Sequence, residues 1–246
     1  ALDAQGRAEC WGQFDAREKL VGTFRRVDNG FRFCGVRTDG QPVCGGSTVT
    51  TSGPVKQVVL PDVNTSCVVF ADGGANCTMR WESGGQARSA NAPPVPFERL
   101  VVFDQATCGL RAGGTVVCWG NLPASGLGVP QEPLSDFAHN GVTGCGVVAA
   151  TGALACWGAD PFGIRTPPTG TFTQVRMNRV YACGLRTDGS VTCWGEAPPA
   201  WPTESDFTAL AMGENGGACA LHGDGGLACW GRENLTGVPH ARFAAL

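Results

Sequence analysis

Lysine, tyrosine and histidine are scarce in this chain. Of 246 residues only Lys19 and Lys56 are lysines, Tyr181 is the single tyrosine, and His139, His222 and His240 are the only histidines. With sixteen arginines, a net charge of −3 and no block of basic residues, the chain has nothing suited to neutralising a phosphate backbone, so nucleic acid is not an expected partner. No apolar run reaches the roughly eighteen residues that a membrane-spanning helix needs, so membrane insertion is not expected either. The start, Ala1-Leu2-Asp3-Ala4-Gln5-Gly6, has neither a basic beginning nor an apolar stretch, which reads as a mature or trimmed, unanchored chain. Helix signals are almost absent. Gly-x-Ser-x-Gly, His-Glu-x-x-His and phosphate-loop motifs are missing, and the histidines fall at unrelated places, so the chain is read as no enzyme and as needing no cofactor.

Cysteine, by contrast, is abundant. Thirteen are present, and twelve form six pairs, five spaced ten residues apart and one eleven. The clearest copies are Cys108-Gly-Leu-Arg-Ala-Gly-Gly-Thr-Val-Val-Cys118-Trp-Gly and Cys183-Gly-Leu-Arg-Thr-Asp-Gly-Ser-Val-Thr-Cys193-Trp-Gly, and the stretch from Cys219 to Gly231 follows them. Such recurrence marks a repeat protein whose units share one core, so residues 1–246 are read as a single domain.

Each unit reads as a first strand, such as Phe172-Thr-Gln-Val175 or Phe207-Thr-Ala-Leu210, then a variable loop, then a hairpin between the cysteines. Period-two alternation puts Cys183, Leu185, Val191 and Cys193 on one face. The Asp39-Gly40 and Asp188-Gly189 turns supply the positive-φ glycine of a tight hairpin. Cysteines equidistant from such a turn face each other across antiparallel strands, close to the separation a disulfide tolerates. The pairs are therefore Cys34 with Cys44, Cys67 with Cys77, Cys108 with Cys118, Cys145 with Cys156, Cys183 with Cys193, and Cys219 with Cys229.

Zinc sites use cysteines two to four apart that converge in fours, a pattern these single pairs do not follow. So many paired cysteines also point away from a reducing cytosol and toward a secreted or periplasmic location. Cys10 is unpaired within the chain. Aligned with the last hairpin, its partner falls at the position immediately before Ala1, the alternative being a reactive thiol. Asn64, Asn76 and Asn234 head glycosylation sequons that composition alone accounts for.

At the other end, Arg242-Phe243-Ala-Ala-Leu246 matches Asp206-Phe207-Thr-Ala-Leu210, a first strand with no hairpin after it, while the N-terminus holds a hairpin with no first strand before it. Six units plus one divided between the termini make seven, and a divided unit is how a ring of sheets is locked. The expected fold is all-β: a seven-bladed β-propeller of four-stranded antiparallel blades, closed by a blade shared between the N- and C-termini.

The Cys-Gly-Leu-Arg-Thr-Asp-Gly-Ser-Val-Thr-Cys-Trp-Gly segment and Trp230-Gly-Arg-Glu-Asn-Leu-Thr-Gly237-Val-Pro239 resemble the regulator of chromosome condensation repeat, along the whole chain. That family forms seven-bladed propellers with unrelated functions. The cysteines set this chain with its secreted members. The Gly237-Val-Pro239 and Gly128-Val-Pro130 endings are similar to the propeller-type β-lactamase inhibitory proteins of actinobacteria, and Cys-Gly-Leu with Cys-Trp-Gly to the ectodomains of plant crinkly receptor kinases.

The five Trp-Gly tryptophans, Trp11, Trp119, Trp157, Trp194 and Trp230, recur at one template position and are read as packing between blades rather than as a ligand cage. Lone aspartates in the turns do not make a calcium site. What varies is the loop before each hairpin, and variable loops on a rigid scaffold are where binding resides. In the inhibitory relatives the corresponding loops form the enzyme-binding face. The candidate docking residues are Phe31, Arg32, Phe33, Asn64, Phe103, Asp104, Gln105, Asn178, Arg179, Tyr181, Glu214 and Asn215, with Phe103 divided evenly between structural and binding roles. The function expected is non-catalytic binding of an extracellular protein by a monomer, with inhibition of a hydrolase as one form. A glycan-binding lectin and a propeller hydrolase or lyase are the alternatives.

Overall fold

The computed structural model describes residues 1–9, 20–28, 34–45, 47–48, 51–60, 65–83, 86–103, 106–122, 127–196, 200–213, 216–231 and 241–246. All regular structure in them is β. The sheets fall into two compact units.

The first unit opens with β1 (Leu2–Asp3). It continues with the four-stranded sheet β2 (Phe24–Asp28), β3 (Cys34–Arg37), β4 (Pro42–Cys44), β5 (Ser47–Thr48). A second four-stranded sheet holds β6 (Val55–Val59), β7 (Thr65–Phe70), β8 (Ala75–Ser83) and β9 (Gln86–Ala90). A three-stranded sheet follows, of β10 (Arg99–Phe103), β11 (Ala106–Leu110) and β12 (Val116–Gly120).

The second unit holds three three-stranded sheets. They are β13 (Leu134–His139), β14 (Thr143–Val148), β15 (Leu154–Gly158); β16 (Phe172–Met177), β17 (Tyr181–Arg186), β18 (Val191–Gly195); and β19 (Phe207–Met212), β20 (Gly217–His222), β21 (Leu227–Gly231). The last strand is β22 (Phe243–Ala245). In each of these six sheets the strands are joined in sequence order.

Four strands per blade were expected, and among the described residues four of these six sheets have three. The reason lies just past the Trp-Gly pair. Gly120, Gly158, Gly195 and Gly231 all take positive φ, between 88° and 115°, which turns the chain out of the ladder. The segments that follow carry prolines such as Pro161, Pro167 and Pro202, which cannot donate to a ladder.

The six expected disulfides are all present, with Cα separations of 4.0 to 4.2 Å. Cys34, Cys67, Cys145, Cys183 and Cys219 each lie in direct register with their partners. The shared face is also as expected. Cys183, Leu185, Val191 and Cys193 pack in one cluster with Phe207, Leu210, Ala218, Ala220 and Trp230 of the following sheet. The same arrangement joins Cys145 and Val147 to Phe172, Val175 and Trp194, and, in the first unit, Cys67, Val69 and Cys77 to Phe97, Leu100 and Trp119. A stapled hairpin thus supplies half the core of the next sheet. At about 25 cal/mol per Å² of apolar area, that burial is a main term holding consecutive sheets together.

Trp119, Trp157, Trp194 and Trp230 are all buried, in keeping with a packing role, and the Trp194 indole donates to the Ile164 carbonyl at 2.8 Å. The glycine after the first cysteine makes room for an aromatic ring. A Cβ on Gly184 would lie 2.6 Å from the Phe172 ring, and one on Gly109 would lie 2.3 Å from Phe97.

Candidate functional site: the loops entering the hairpins

First strands carry a repeated irregularity. The register slips by one residue between Phe24 and Arg26, Val55 and Gln57, Leu134 and Asp136, Phe172 and Gln174, and Phe207 and Ala209. A bulge re-aims the side chain that follows it. At three of these five, that side chain reaches the first strand of the next sheet. Gln57 Oε1 accepts the Leu100 N–H at 2.8 Å while its Nε2 donates to the Leu100 carbonyl at 2.9 Å. Asp136 Oδ2 accepts the Val175 N–H at 2.8 Å and the Arg176 guanidinium at 2.7 Å. Gln174 Oε1 accepts the Leu210 N–H at 3.0 Å. These braces were not anticipated from the sequence. Their signal is an amide or carboxylate two residues after the apolar residue that opens a first strand.

On this braced frame, two loops of the second unit are built alike. Asn140 closes the β13–β14 loop: its N–H donates to the Thr143 carbonyl at 3.0 Å and its Oδ1 accepts the Thr143 N–H at 2.8 Å. Asn178 does the same between β16 and β17, its N–H donating to the Tyr181 carbonyl at 3.1 Å and its Oδ1 accepting the Val180 and Tyr181 N–H groups at 2.9 Å each. Asparagine suits this place because its short amide satisfies a turn's own backbone. The loops are then tied sideways. Asn140 Nδ2 donates to the Asn178 and Arg179 carbonyls at 3.2 Å each, and the Tyr181 hydroxyl donates to the Gly216 carbonyl at 2.8 Å. Behind the apices, the Ala159 and Glu196 N–H groups donate to the Val142 and Val180 carbonyls at 2.9 and 3.0 Å.

Among the candidate docking residues, Arg179 is exposed at the apex of its loop. Val142, at the apex of the neighbouring loop, is 38% exposed, unusual for a large apolar side chain here. Asn178 and Tyr181 are placed differently from expectation: both are buried and their polar atoms are committed to the ties just described. Tyr181 opens a strand whose alternation turns it inward, and a buried phenol needs an acceptor, which Gly216 provides. Burial pushes its pKa up, and the Asn178 side chain offsets part of that shift. Phe103 is buried as well. Phe31, Arg32, Phe33, Asn64, Asp104, Gln105, Glu214 and Asn215 lie outside the described residues, as does Cys10.

Ionisable side chains elsewhere are engaged with one another. Arg26 holds Asp28 at 2.7 Å, and His222 Nδ1 lies 2.6 Å from Asp206 at the far end of its strand, against the Phe207 ring. Turn aspartates bond their own backbone: Asp188 Oδ1 accepts the Ser190 N–H at 2.9 Å, and this contact together with the Ser190 hydroxyl pulls its pKa down. Among the described residues no three His, Cys, Asp or Glu side chains converge as a metal site would require. No helix in them is long and apolar enough to cross a membrane.

The geometry matches known propellers. The crinkly ectodomain of the Arabidopsis thaliana receptor kinase ACR4 superposes with a TM-score of 0.69 at 22% identity, covering 89% of this chain and 83% of that one. The chain has the propeller fold of the regulator of chromosome condensation-like proteins. The entire ectodomain of the Physcomitrella patens receptor kinase CR4 gives 0.73 at 22% identity over 93% of this chain and 67% of that one. Prp20p of Saccharomyces cerevisiae, whose structure was described with its binding to Gsp1p and histones, gives 0.63 at 12% identity over 82% and 70%. No protein-family model matches the chain. The six disulfides fit the disulfide-containing branch of such propellers.

Proposed function

We propose that this chain is a secreted or periplasmic, non-catalytic propeller that binds another protein through the loops entering its hairpins. In this reading it is a monomeric ring of seven blades, the last shared between the two ends of the chain, and the partner is an extracellular protein such as a hydrolase that it inhibits. The observation that carries the proposal is the tied pair of loops. Asn140 and Tyr181 fix the backbone of the rim, so Val142 and Arg179 are presented on a surface that loses little entropy on binding. Arginine is among the residues most enriched at binding hot spots. Six disulfides support an oxidising compartment, and two of the similar structures are ectodomains of receptor kinases.

The test is affinity capture from the culture medium of the source cells, comparing the unaltered chain with a Val142→Asp/Arg179→Glu variant. A specific protein retained by the first and weakened about thirtyfold by the second, equivalent to a hot spot worth about 2 kcal/mol, is the expected outcome. Retention of polysaccharide alone would sink the proposal in favour of a lectin. Any captured hydrolase is then assayed with and without the chain.

A further inference from the structure

Three Asn-Gly pairs occur in the chain, Asn29-Gly30, Asn140-Gly141 and Asn215-Gly216, and the second has both residues among the described ones. Asparagine before glycine is a dipeptide prone to cyclise, because no Cβ on the following residue hinders its backbone nitrogen from reaching the side-chain carbonyl. Asn140 and Asn178 cap their loops alike, yet their neighbours differ. Gly141, with φ +87°, follows Asn140, whereas Arg179 follows Asn178. His139 precedes Asn140 and its Nδ1 accepts the Gly141 N–H at 3.2 Å, whereas Met177 precedes Asn178 and offers no base. An Nδ1 that accepts a hydrogen bond carries no proton, so the His139 imidazole is neutral and protonated on Nε2.

The parts of an acyl-transfer site surround the Asn140 amide. Oδ1 accepts the Thr143 N–H at 2.8 Å and the Val142 N–H at 3.3 Å, two backbone donors on the oxygen that gains negative charge when Cγ becomes tetrahedral. The Gly141 nitrogen is the nucleophile, and His139 Nδ1 is a base already in contact with its proton. Nδ2, the leaving group, is held at the other end of the amide by the Asn178 and Arg179 carbonyls at 3.2 Å each. His139 and Asn140 are both buried, which strengthens these contacts.

We propose that Asn140 is a self-modification site, which the folded chain converts to aspartate or isoaspartate without a second enzyme. His139 Nδ1 takes the Gly141 N–H proton as the nitrogen adds to Cγ, and the Val142 and Thr143 N–H groups hold the oxyanion. The proton passes on to Nδ2, the Cγ–Nδ2 bond breaks and ammonia leaves, giving a succinimide ring that joins residues 140 and 141. Water then opens the ring at one of its two carbonyls, and nothing is oxidised or reduced. Neither product keeps the Nδ2 donor, so both bonds to the neighbouring loop are lost and the β16–β17 loop is untied. That untying weakens partner binding rests on the reading of the rim as a docking surface; the chemistry at Asn140 does not.

The experiment incubates the whole disulfide-bonded chain at neutral pH, folded and in urea, and follows loss of ammonia and uptake of water at Asn140 and Asn178 by peptide mass mapping. Asn140 reacts about tenfold faster in the folded chain than in urea, and Asn178 stays intact. His139→Gln supplies an amide that accepts a hydrogen bond but takes no proton at neutral pH, and it slows the folded reaction about tenfold. Asn140→Asp, which stands for the product, speeds amide exchange at Val180 and Tyr181 about fivefold. A folded rate no greater than the rate in urea overturns the proposal, whatever the variants do. So does an unchanged rate in His139→Gln that keeps its urea midpoint, or equal reaction at Asn178. Failure of the affinity capture leaves these rates as they are, so this site and the docking surface fail separately.

Discussion

Truncating Gln57 tests whether the braces between first strands carry stability. Leu100 sits where β10 alternates: Val101 is paired with Cys108 and Arg99 with Leu110, so the Leu100 N–H and C=O turn away from β11 and toward Gln57. Both residues are 2% exposed, and water does not reach the gap. Gln57→Ala therefore strands a buried N–H and a buried carbonyl, and removes a donor to Asp28 at 3.2 Å. An unsatisfied buried group costs about 1 to 3 kcal/mol, so the pair together with the small void comes to about 3 kcal/mol. For a chain of this size that lowers Tm by about 6 to 12 °C.

The control is Gln174→Ala. Gln174 makes the equivalent bond to Leu210 N–H at 3.0 Å but is only half-buried, so water replaces part of the lost bond and the cost falls to about 1 kcal/mol. Urea unfolding of both variants with disulfides intact measures the two costs. Equal losses, or a Gln57→Ala loss under about 1 kcal/mol, would refute the claim that burial makes this brace matter.

Three further predictions follow from the same structure. Ala209 occupies the brace position in the last three-stranded sheet without a side chain able to reach across, so Ala209→Gln raises stability by about 1 kcal/mol, read as an upward shift in the urea midpoint, if its amide reaches the Leu246 N–H. Tyr181, the single tyrosine, ionises above its ordinary range because burial penalises the phenolate; its contribution to stability is full below about pH 10 and is lost as pH rises through the folded value, and absorbance at alkaline pH that tracks a free tyrosine would contradict this. Replacing Cys183 and Cys193 together by serine opens a closed loop of ten residues and costs about 2 to 3 kcal/mol, whereas a loss below about 0.5 kcal/mol would assign the stability to the surrounding apolar cluster instead.

The hairpins were legible in the sequence and the loops were not, for a physical reason. A disulfide, a positive-φ glycine and a period-two apolar face are local constraints, so Cys183 to Cys193 announces its own pairing, its turn and its buried side. Tyr181 carries no such mark. An aromatic residue at the end of a variable loop reads as a contact residue until the strand's start is known to within one residue, and that one-residue question decides whether the ring faces in or out. Gln57, Asp136 and Gln174 were hidden by the bulge before them. Strict alternation across Val55, Gln57 and Val59 assigns all three to one face, and only the slipped register separates the brace from the core. Two of the six sheets have the four strands expected of a blade, and the described residues show three in the other four. In those four the glycine after the tryptophan has positive φ, and the second sheet, which lacks the Trp-Gly pair, is where a full fourth strand forms.

That contrast also separates the parts of the chain that hold the fold from those free to vary. A hairpin is pinned at three levels: its disulfide, its burial against the following sheet, and the brace linking successive first strands. None of the three uses a loop residue. In the second unit the loop between β16 and β17 is nonetheless ordered, but by bonds from its own Asn178 and from Asn140 of the neighbouring loop, which constrain its backbone. An exposed position on a fixed backbone can change identity without strain, which is what a binding surface tuned to one partner requires.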